Sequence, residues 1–263
     1  MTVLSVNLNK IALLRNARGA DVPSVTGAAA TVIAAGARGI TVHPRPDQRH
    51  IRPDDVTALH LFLADQPDIE YNIEGNPFSG PRDNGYPGFD AFIEQTRPAQ
   101  ATLVPDTDNQ LTSDHGFDLL GDNQALREKI ALLQSFGARV SLFMDPDLEQ
   151  IDQAKAIGAD RIELYTGPFA DTVLTHGADS EAARQSLALF KAGADHADAI
   201  GLGVNAGHDL DLPNLPLFAH IGVVAEVSIG HALIARALER GLTQTVQDFL
   251  AAMDPTAAPS ATS

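Results

Sequence analysis

Eight short apolar runs alternate with amphipathic helical stretches, and a helix-end, Gly-Ala, strand unit recurs along the chain; together they predict an α/β fold closing as a (β/α)8 barrel. The 263 residues, 44% of them hydrophobic, suit a single barrel domain of about 250 residues. The runs are LSVNLN from Leu4, GITVH from Gly39, IEYNIE from Ile69, ATLVPD from Ala101, RVSLFMD from Arg139, RIELYTG from Arg161, LGVNAGH from Leu202 and VAEVSIGH from Val224. Their nearly continuous apolar character fits parallel strands covered by helices.

Between the runs, NQALREKIALLQSFGA puts Leu126, Ile130 and Leu133 on one helical face, with Gly137 placed to end the helix. AAGARGITVH, SFGARVSLFMD and AIGADRIELYTG repeat the αβ unit. A doubly wound open sheet is the alternative, but no GxGxxG follows the first run. GNPFSGPRDNGYPG, from Gly75 to Gly88, is too rich in Gly and Pro for regular structure and reads as a loop over the third strand. The barrel is expected over residues 1–253, with a flexible Pro, Ala, Ser and Thr tail over 254–263.

Lys and Arg number 18 against 34 Asp and Glu, a formal charge of −16 that disfavours nucleic acid and anionic membrane as partners. Against that background Arg15, Arg18, Arg45, Arg49 and Arg52 crowd into the first fifth of the chain, as a pocket for a phosphorylated small molecule requires. No apolar run reaches membrane-spanning length and no leader marks Met1, so the cytoplasm is the expected compartment. Cysteine is absent, which removes thiol nucleophiles and thiolate metal sites and leaves His, carboxylates and Lys as the reactive groups.

In a barrel the carboxyl ends of the strands and the loops after them build the active site. At that face the sequence places Asn7, Asn9, Lys10, His43, Glu70, Asp106, Asp145, Glu163, His208 and His231. In GITVHPRPDQRHI, Thr41 and Val42 favour a strand, and Pro44 and Pro46 force the exit that aims His43, Arg45, Arg49 and His50 at one region. Glu70 and Glu163 lie inside apolar runs; alternation gives Glu70 the same face as Asn72 and Glu74, and Glu163 that of Tyr165. A carboxylate buried there is either paired with a cation or shifted toward neutral pH, where it works with imidazoles as acid and base.

Lys10 is the only lysine at a strand end, since Lys129, Lys155 and Lys191 sit in helical patterns. Neither His-x-His nor HExxH occurs, so no metal site is expected. VSIGHALIARAL passes from the last strand through Gly230 into a helix whose first N–H groups can hold a phosphate.

These segments resemble the pyridoxine 5′-phosphate synthase family, TIM-barrel enzymes that close the ring in deoxyxylulose-dependent vitamin B6 synthesis. The match runs from Val6 to about Leu242 through VNLNKIALLRNARG, GITVHPRPDQRHI, Glu70, VSLFMD, IELYTG, VNAGH and IGHALI. The resemblance implies condensation of 3-amino-2-oxopropyl phosphate with 1-deoxy-D-xylulose 5-phosphate, giving pyridoxine 5′-phosphate, phosphate and water without a cofactor. It implies proton-acceptor roles for His43 and Glu70, a donor role for His208 and charge stabilisation by Glu163. It places Asn7, Arg18, Asp209, Gly230 and His231 around the aminoketone phosphate, and Asn9, Lys10, Arg45, His50 and Thr112 around the sugar phosphate. It also implies a homo-octamer. The chain carries Asn9-Lys10 where Asp-His is frequent, and Asp209 where Gly often follows the histidine. Another phosphate-binding barrel, an isomerase or aldolase, and a non-catalytic metabolite-binding barrel are the competing readings.

Overall fold

A computed structural model describes residues 2–254. The chain runs β1 (Val3–Asn7), α1 (Asn9–Asn16), α2 (Val25–Ala34), β2 (Gly39–Val42), α3 (Pro53–Leu63), β3 (Glu70–Gly75), α4 (Phe89–Thr96), β4 (Gln100–Leu103) and α5 (Gln124–Ser135). It continues through β5 (Arg139–Met144), α6 (Leu148–Ala156), β6 (Arg161–Tyr165), α7 (Gly167–His176), α8 (Glu181–Ala199), β7 (Gly203–Gly207), α9 (Leu215–Phe218), β8 (Val224–Ile229), α10 (His231–Arg240) and α11 (Leu242–Ala252). All neighbouring strands are parallel, and β8 returns to β1 with Ser5 opposite Ser228, so the sheet closes and the open-sheet alternative fails. Each apolar run holds one strand. Of the predicted tail, residues 255–263 lie outside the described residues, and the Asp254 amide donates to Ala251 O at the end of α11.

The repeated Gly-Ala unit has a backbone cause. Gly36, Gly137 and Gly158 each follow a helix with φ of +116°, +95° and +96°, a region where an L side chain is strained. The alanines after them are buried, and the Ala37 and Ala159 amides reach back to Val32 O and Ala154 O, the bond that closes a helix and redirects the chain into the next strand.

The strands alternate strictly, contrary to the continuous apolar reading. Leu4, Val6, Ile40, Val42, Ile73, Val140, Leu142, Ile162, Leu164, Val227 and Ile229 are buried in the core under the helices. Their neighbours Ser5, Thr41, Asn72, Gln100, Thr102, Ser141, Glu163, Asn205 and Glu226 are buried inside the ring. This interior is a hydrogen-bonded ladder instead of the usual branched aliphatic filling. Ser5 bonds Thr41 at 2.7 Å, Asn72 donates to Thr41 at 3.3 Å, and Thr102 donates to Asn72 at 3.0 Å. Gln100 donates to Thr102 at 3.3 Å and accepts from Arg139 and Asn205.

The Gly- and Pro-rich segment is an ordered brace. Asn76 donates to Asp106 O, Arg82 pairs with Asp108 at 3.0 Å, and Asn84 donates to Pro46 O while its own carbonyl accepts from Gln48. It thereby ties the loops after β2 and β4 together, with Tyr86 buried against Phe92 at 5.4 Å between ring centres.

Outside the ring, Phe169, Phe190 and Phe218 form a triangle with ring centres 5.6–6.0 Å apart. Phe218 is fully buried there. Phe218→Ala is expected to lower unfolding free energy by about 3–5 kcal/mol, read as an earlier urea midpoint at unchanged slope.

Candidate active site

The carboxyl ends of the strands surround a cavity of about 440 Å³. Twelve of the fourteen predicted site residues line it: Asn7, Asn9, Lys10, His43, Arg45, His50, Thr112, Glu163, His208, Asp209, Gly230 and His231.

Two asparagines set the wall between β1, β2 and β3. The Asn9 side-chain oxygen accepts the His43 amide at 2.9 Å, Asn7 Oδ1 accepts the Asn9 amide at 3.0 Å, and Asn7 Nδ2 donates to Glu74 at 3.3 Å. His43 is 6% exposed, and burial, with Arg45, His50 and Arg49 nearby, holds its pKa well below the ordinary imidazole value. It is therefore a neutral base at physiological pH. Its Nδ1 lies 3.9 Å from Glu74 Oε2. Burial, then Asp106 and Glu226, push Glu74 up to about 8 against the opposing pull of Arg45. The contact is therefore between a neutral imidazole and a carboxylic acid, not an ion pair.

His50 is neutral too: burial and the charges of Arg45, Arg49 and Lys10 press it down to about 3. Its Nδ1 accepts the Ile51 amide at 2.9 Å, which leaves Nε2–H as the donor. Arg45 pairs with Asp106, which also accepts from Ser113 at 2.8 Å. Lys10 makes no hydrogen bond or ion pair among the described residues, so its ammonium is available to an anion in the cavity.

Across the cavity, β7 ends in an unusual turn. His208 and Asp209 have φ of +82° and +58°, two successive non-glycine residues in the left-handed region. The turn is held by Thr166 Oγ1, which donates to Gly207 O at 2.7 Å. It places His208 Nδ1 2.7 Å from Asp209 Oδ2 and His208 Nε2 2.8 Å from Thr112 Oγ1. The bond from His208 is the main reason the Asp209 carboxyl sits below its ordinary range. A carboxylate on one ring nitrogen fixes the orientation of the imidazole.

Glu163, 3% exposed, lies between these two sides, and its Oε2 has no hydrogen-bond partner among the described residues. Burial, with Glu74 and Glu226 adding repulsion, holds it protonated well above the usual carboxyl range. Gly207 makes room for it, because a Cβ there would lie 2.2 Å from Glu163 Oε1. At the last strand, Gly230 precedes the first turn of the ten-residue α10, and both Gly230 and His231 face the cavity. Free N–H groups and the helix dipole favour an anion there.

Two expected residues lie elsewhere. Glu70 is the first residue of β3, opposite Gly39 at the amino end of β2, and it pairs with Arg139 at the start of β5. At about 3.3 Å per residue it sits roughly 13 Å below Glu74, at the opposite mouth of the barrel. The apolar run revealed which face Glu70 takes but not which end of the strand it occupies. Arg18 is exposed beyond α1 and outside the cavity wall; the buried arginine of this region is Arg15, bound to Asp55. Glu74 was visible in the sequence as sharing the face of Glu70, and counting four residues onward from the strand start would have raised it to the level of His43.

Comparison with known proteins identifies the family of the chain. Residues 4–255 match the family described as "Pyridoxal phosphate biosynthesis protein PdxJ". The chain belongs to that family. It is 57% identical over 251 residues to the pyridoxine 5′-phosphate synthase of Xanthomonas campestris pv. campestris (strain B100), covering 95% of each chain. It is 52% identical over 254 residues to the synthase of Xylella fastidiosa (strain 9a5c), covering 96% of this chain and 95% of that one. Solved structures share the barrel alone: one described as "Native KDPGal structure" has a TM-score of 0.57 at 14% identity over 95% of this chain and 93% of that chain. KGPDC from Streptococcus mutans has a TM-score of 0.58 at 10% identity over 96% and 97%. The PdxJ family thus accounts for nearly the whole chain.

Two measurements test the electrostatics. Carboxyls whose pKa is raised on folding bind protons that the unfolded chain has released, so their contribution is complete below the ordinary value of 4.5 and lost as pH climbs through about 7 for Glu226 and about 8 for Glu74. His43 and His50, with lowered values, oppose this below their ordinary 6.5. The urea midpoint is therefore expected to fall between about pH 6.5 and 8.5, and Glu226→Gln to flatten that fall. Gly207→Ala is expected to displace the Glu163 carboxyl in a crystal structure and to cost about 1–3 kcal/mol of stability.

Proposed function

We propose that the protein condenses 3-amino-2-oxopropyl phosphate with 1-deoxy-D-xylulose 5-phosphate into pyridoxine 5′-phosphate, releasing phosphate and water. The observation that carries this is a neutral imidazole, His43, facing a carboxylate-held imidazole, His208, across one cavity with two anion-attracting sides. Lys10, Arg45 and the His50 Nε2–H form one side and suit the sugar phosphate; Gly230, His231 and the start of α10 form the other and suit the aminoketone phosphate. The near-full-length identity to named synthases supports the same assignment.

The chemistry requires repeated proton movement. The substrate amine attacks the pentulose ketone with loss of water, inorganic phosphate is eliminated from the sugar-derived carbon chain, water adds, and an aldol-type step closes the ring. Each carbon–oxygen bond that breaks needs a proton on oxygen, and each enamine or enol that forms needs a proton removed from carbon. His43 removes protons, His208 with Asp209 behind it delivers them, and Glu163, a carboxylic acid in a buried site, donates a hydrogen bond to oxygen as negative charge develops. The proton-acceptor role implied for Glu70 would have to act through the interior ladder, since Arg139 holds it at the far mouth.

Acid–base catalysis in the cytoplasm by a homo-octamer belongs to the same proposal. Leu13 and Leu14 on α1 and Val22 after it are 41%, 51% and 77% exposed, an apolar surface suited to a second copy. No described helix is long and apolar enough to cross a membrane.

Purified protein is expected to form pyridoxine 5′-phosphate only when both phosphorylated substrates are present. His43→Ala and His208→Ala are each expected to lower kcat by about 10²–10⁴-fold at near-wild-type thermal stability. Turnover of either substrate alone would point to an isomerase or aldolase instead.

A further inference from the structure

The sugar-phosphate side depends on a loop with little regular structure of its own. Between β2 and α3 the chain passes through Pro44 and Pro46, which have no backbone N–H to donate, and through Gln48 at φ +56°, left-handed for a non-glycine residue. His50 stands near the end of this loop. Its Nδ1 accepts the Ile51 amide, so the direction of its Nε2–H follows wherever the backbone of residues 49–51 is placed.

That backbone is held from outside the cavity. Asn16, half-buried at the end of α1, donates from Nδ2 to His50 O at 2.8 Å and to Arg49 O at 3.1 Å. Its Oδ1 accepts from Arg15 Nε at 3.1 Å and Nη2 at 2.9 Å, which turns the donor end of the amide toward the loop. Arg15 is buried, pairs with Asp55 and reaches His50 O at 3.4 Å. Asp55 accepts the Arg52 amide at 2.8 Å, where the loop enters α3. Neither Asn16 nor Arg15 lines the cavity.

We propose that Asn16 is a positioning residue for the sugar-phosphate side, pre-ordering the His50 loop through the Arg49 and His50 carbonyls. This rests on the synthase reading above. Helix α1 then serves that side at both ends: Lys10 near its start offers an ammonium to the cavity, and Asn16 at its end fixes the loop that carries a second donor. A phosphate that meets an ordered donor forfeits less conformational freedom than one that must order a loop, so the anchor shows in affinity for one substrate and not in the chemical step. The side-chain bonds of Asn16 run to residues 15, 49 and 50, and none reaches the Gly230 and His231 side.

Asn16→Asp in the full-length chain is the direct test, because a carboxylate keeps the acceptor for Arg15 and loses the donor to the loop. With both phosphorylated substrates, KM for 1-deoxy-D-xylulose 5-phosphate is expected to rise about tenfold, with kcat within about threefold and KM for 3-amino-2-oxopropyl phosphate within about twofold of wild type. The Ile51 amide, whose acceptor ring is no longer held in place, is expected to exchange with deuterium about tenfold faster. Asn16→Ala, which removes the whole amide group, is expected to match the aspartate variant, and Asn16→Gln, which retains a donor, to recover to within about threefold of wild type. A sugar-phosphate KM unchanged in Asn16→Asp or Asn16→Ala overturns the proposal, even if Ile51 exchange quickens, and so does an equal rise in both KM values. Wild-type protein that makes no product, while Asn16→Asp still speeds Ile51 exchange and weakens the binding of inorganic phosphate, overturns the synthase reading and leaves the positioning role intact.

Discussion

Closure of the eight-stranded ring is the constraint on which the rest of the structure depends. A closed parallel sheet has one face that sees helices and one that sees only itself, and strict alternation sends every second residue inward. In this chain the inward residues are mostly polar, and the interior is stabilised because most of these groups find partners across the ring: Ser5 with Thr41, Thr102 with Asn72, Arg161 with Asn205 at 2.8 Å. The same alternation that builds this ladder brings Asn7, Glu74 and Glu163 to the wall of the upper cavity.

The site is governed by desolvation more than by ion pairing. Its most buried ionisable groups are displaced in opposite directions, His43 and His50 down and Glu74 and Glu163 up, because burial penalises whichever form is charged. His43 and Glu74 are therefore neutral partners, while Asp209, half exposed at the rim, remains a carboxylate and orients His208. In the proposed mechanism these two imidazoles, placed in different surroundings, serve as base and acid within one cavity. The brace over residues 76–88 belongs to this arrangement, since it ties the loops that carry Arg45 and Asp106.

The strands were legible because their apolar runs and the Gly-Ala helix ends repeat, and the left-handed glycines supply the reason for the repeat. The strand ends were legible where proline or glycine marks an exit, as at His43 and Gly230, so most of the cavity wall could be named from the sequence. Glu70 was not, because period-two alternation fixes the face a residue takes but says nothing of its height along the barrel axis. Arg18 was not, because the turn after α1 carries no local signal of direction. The polar interior was hidden inside runs that read as continuously apolar, although EYNIE spells out the alternation.

A crystal structure of the protein with pyridoxine 5′-phosphate bound tests the central claim most directly. The account predicts the phosphate on the Gly230 and His231 backbone at the start of α10, with the pyridine ring between His43 and His208 and within reach of Glu163. A product seated at the lower mouth beside Glu70 and Arg139, or bound without contact to either histidine, would contradict it.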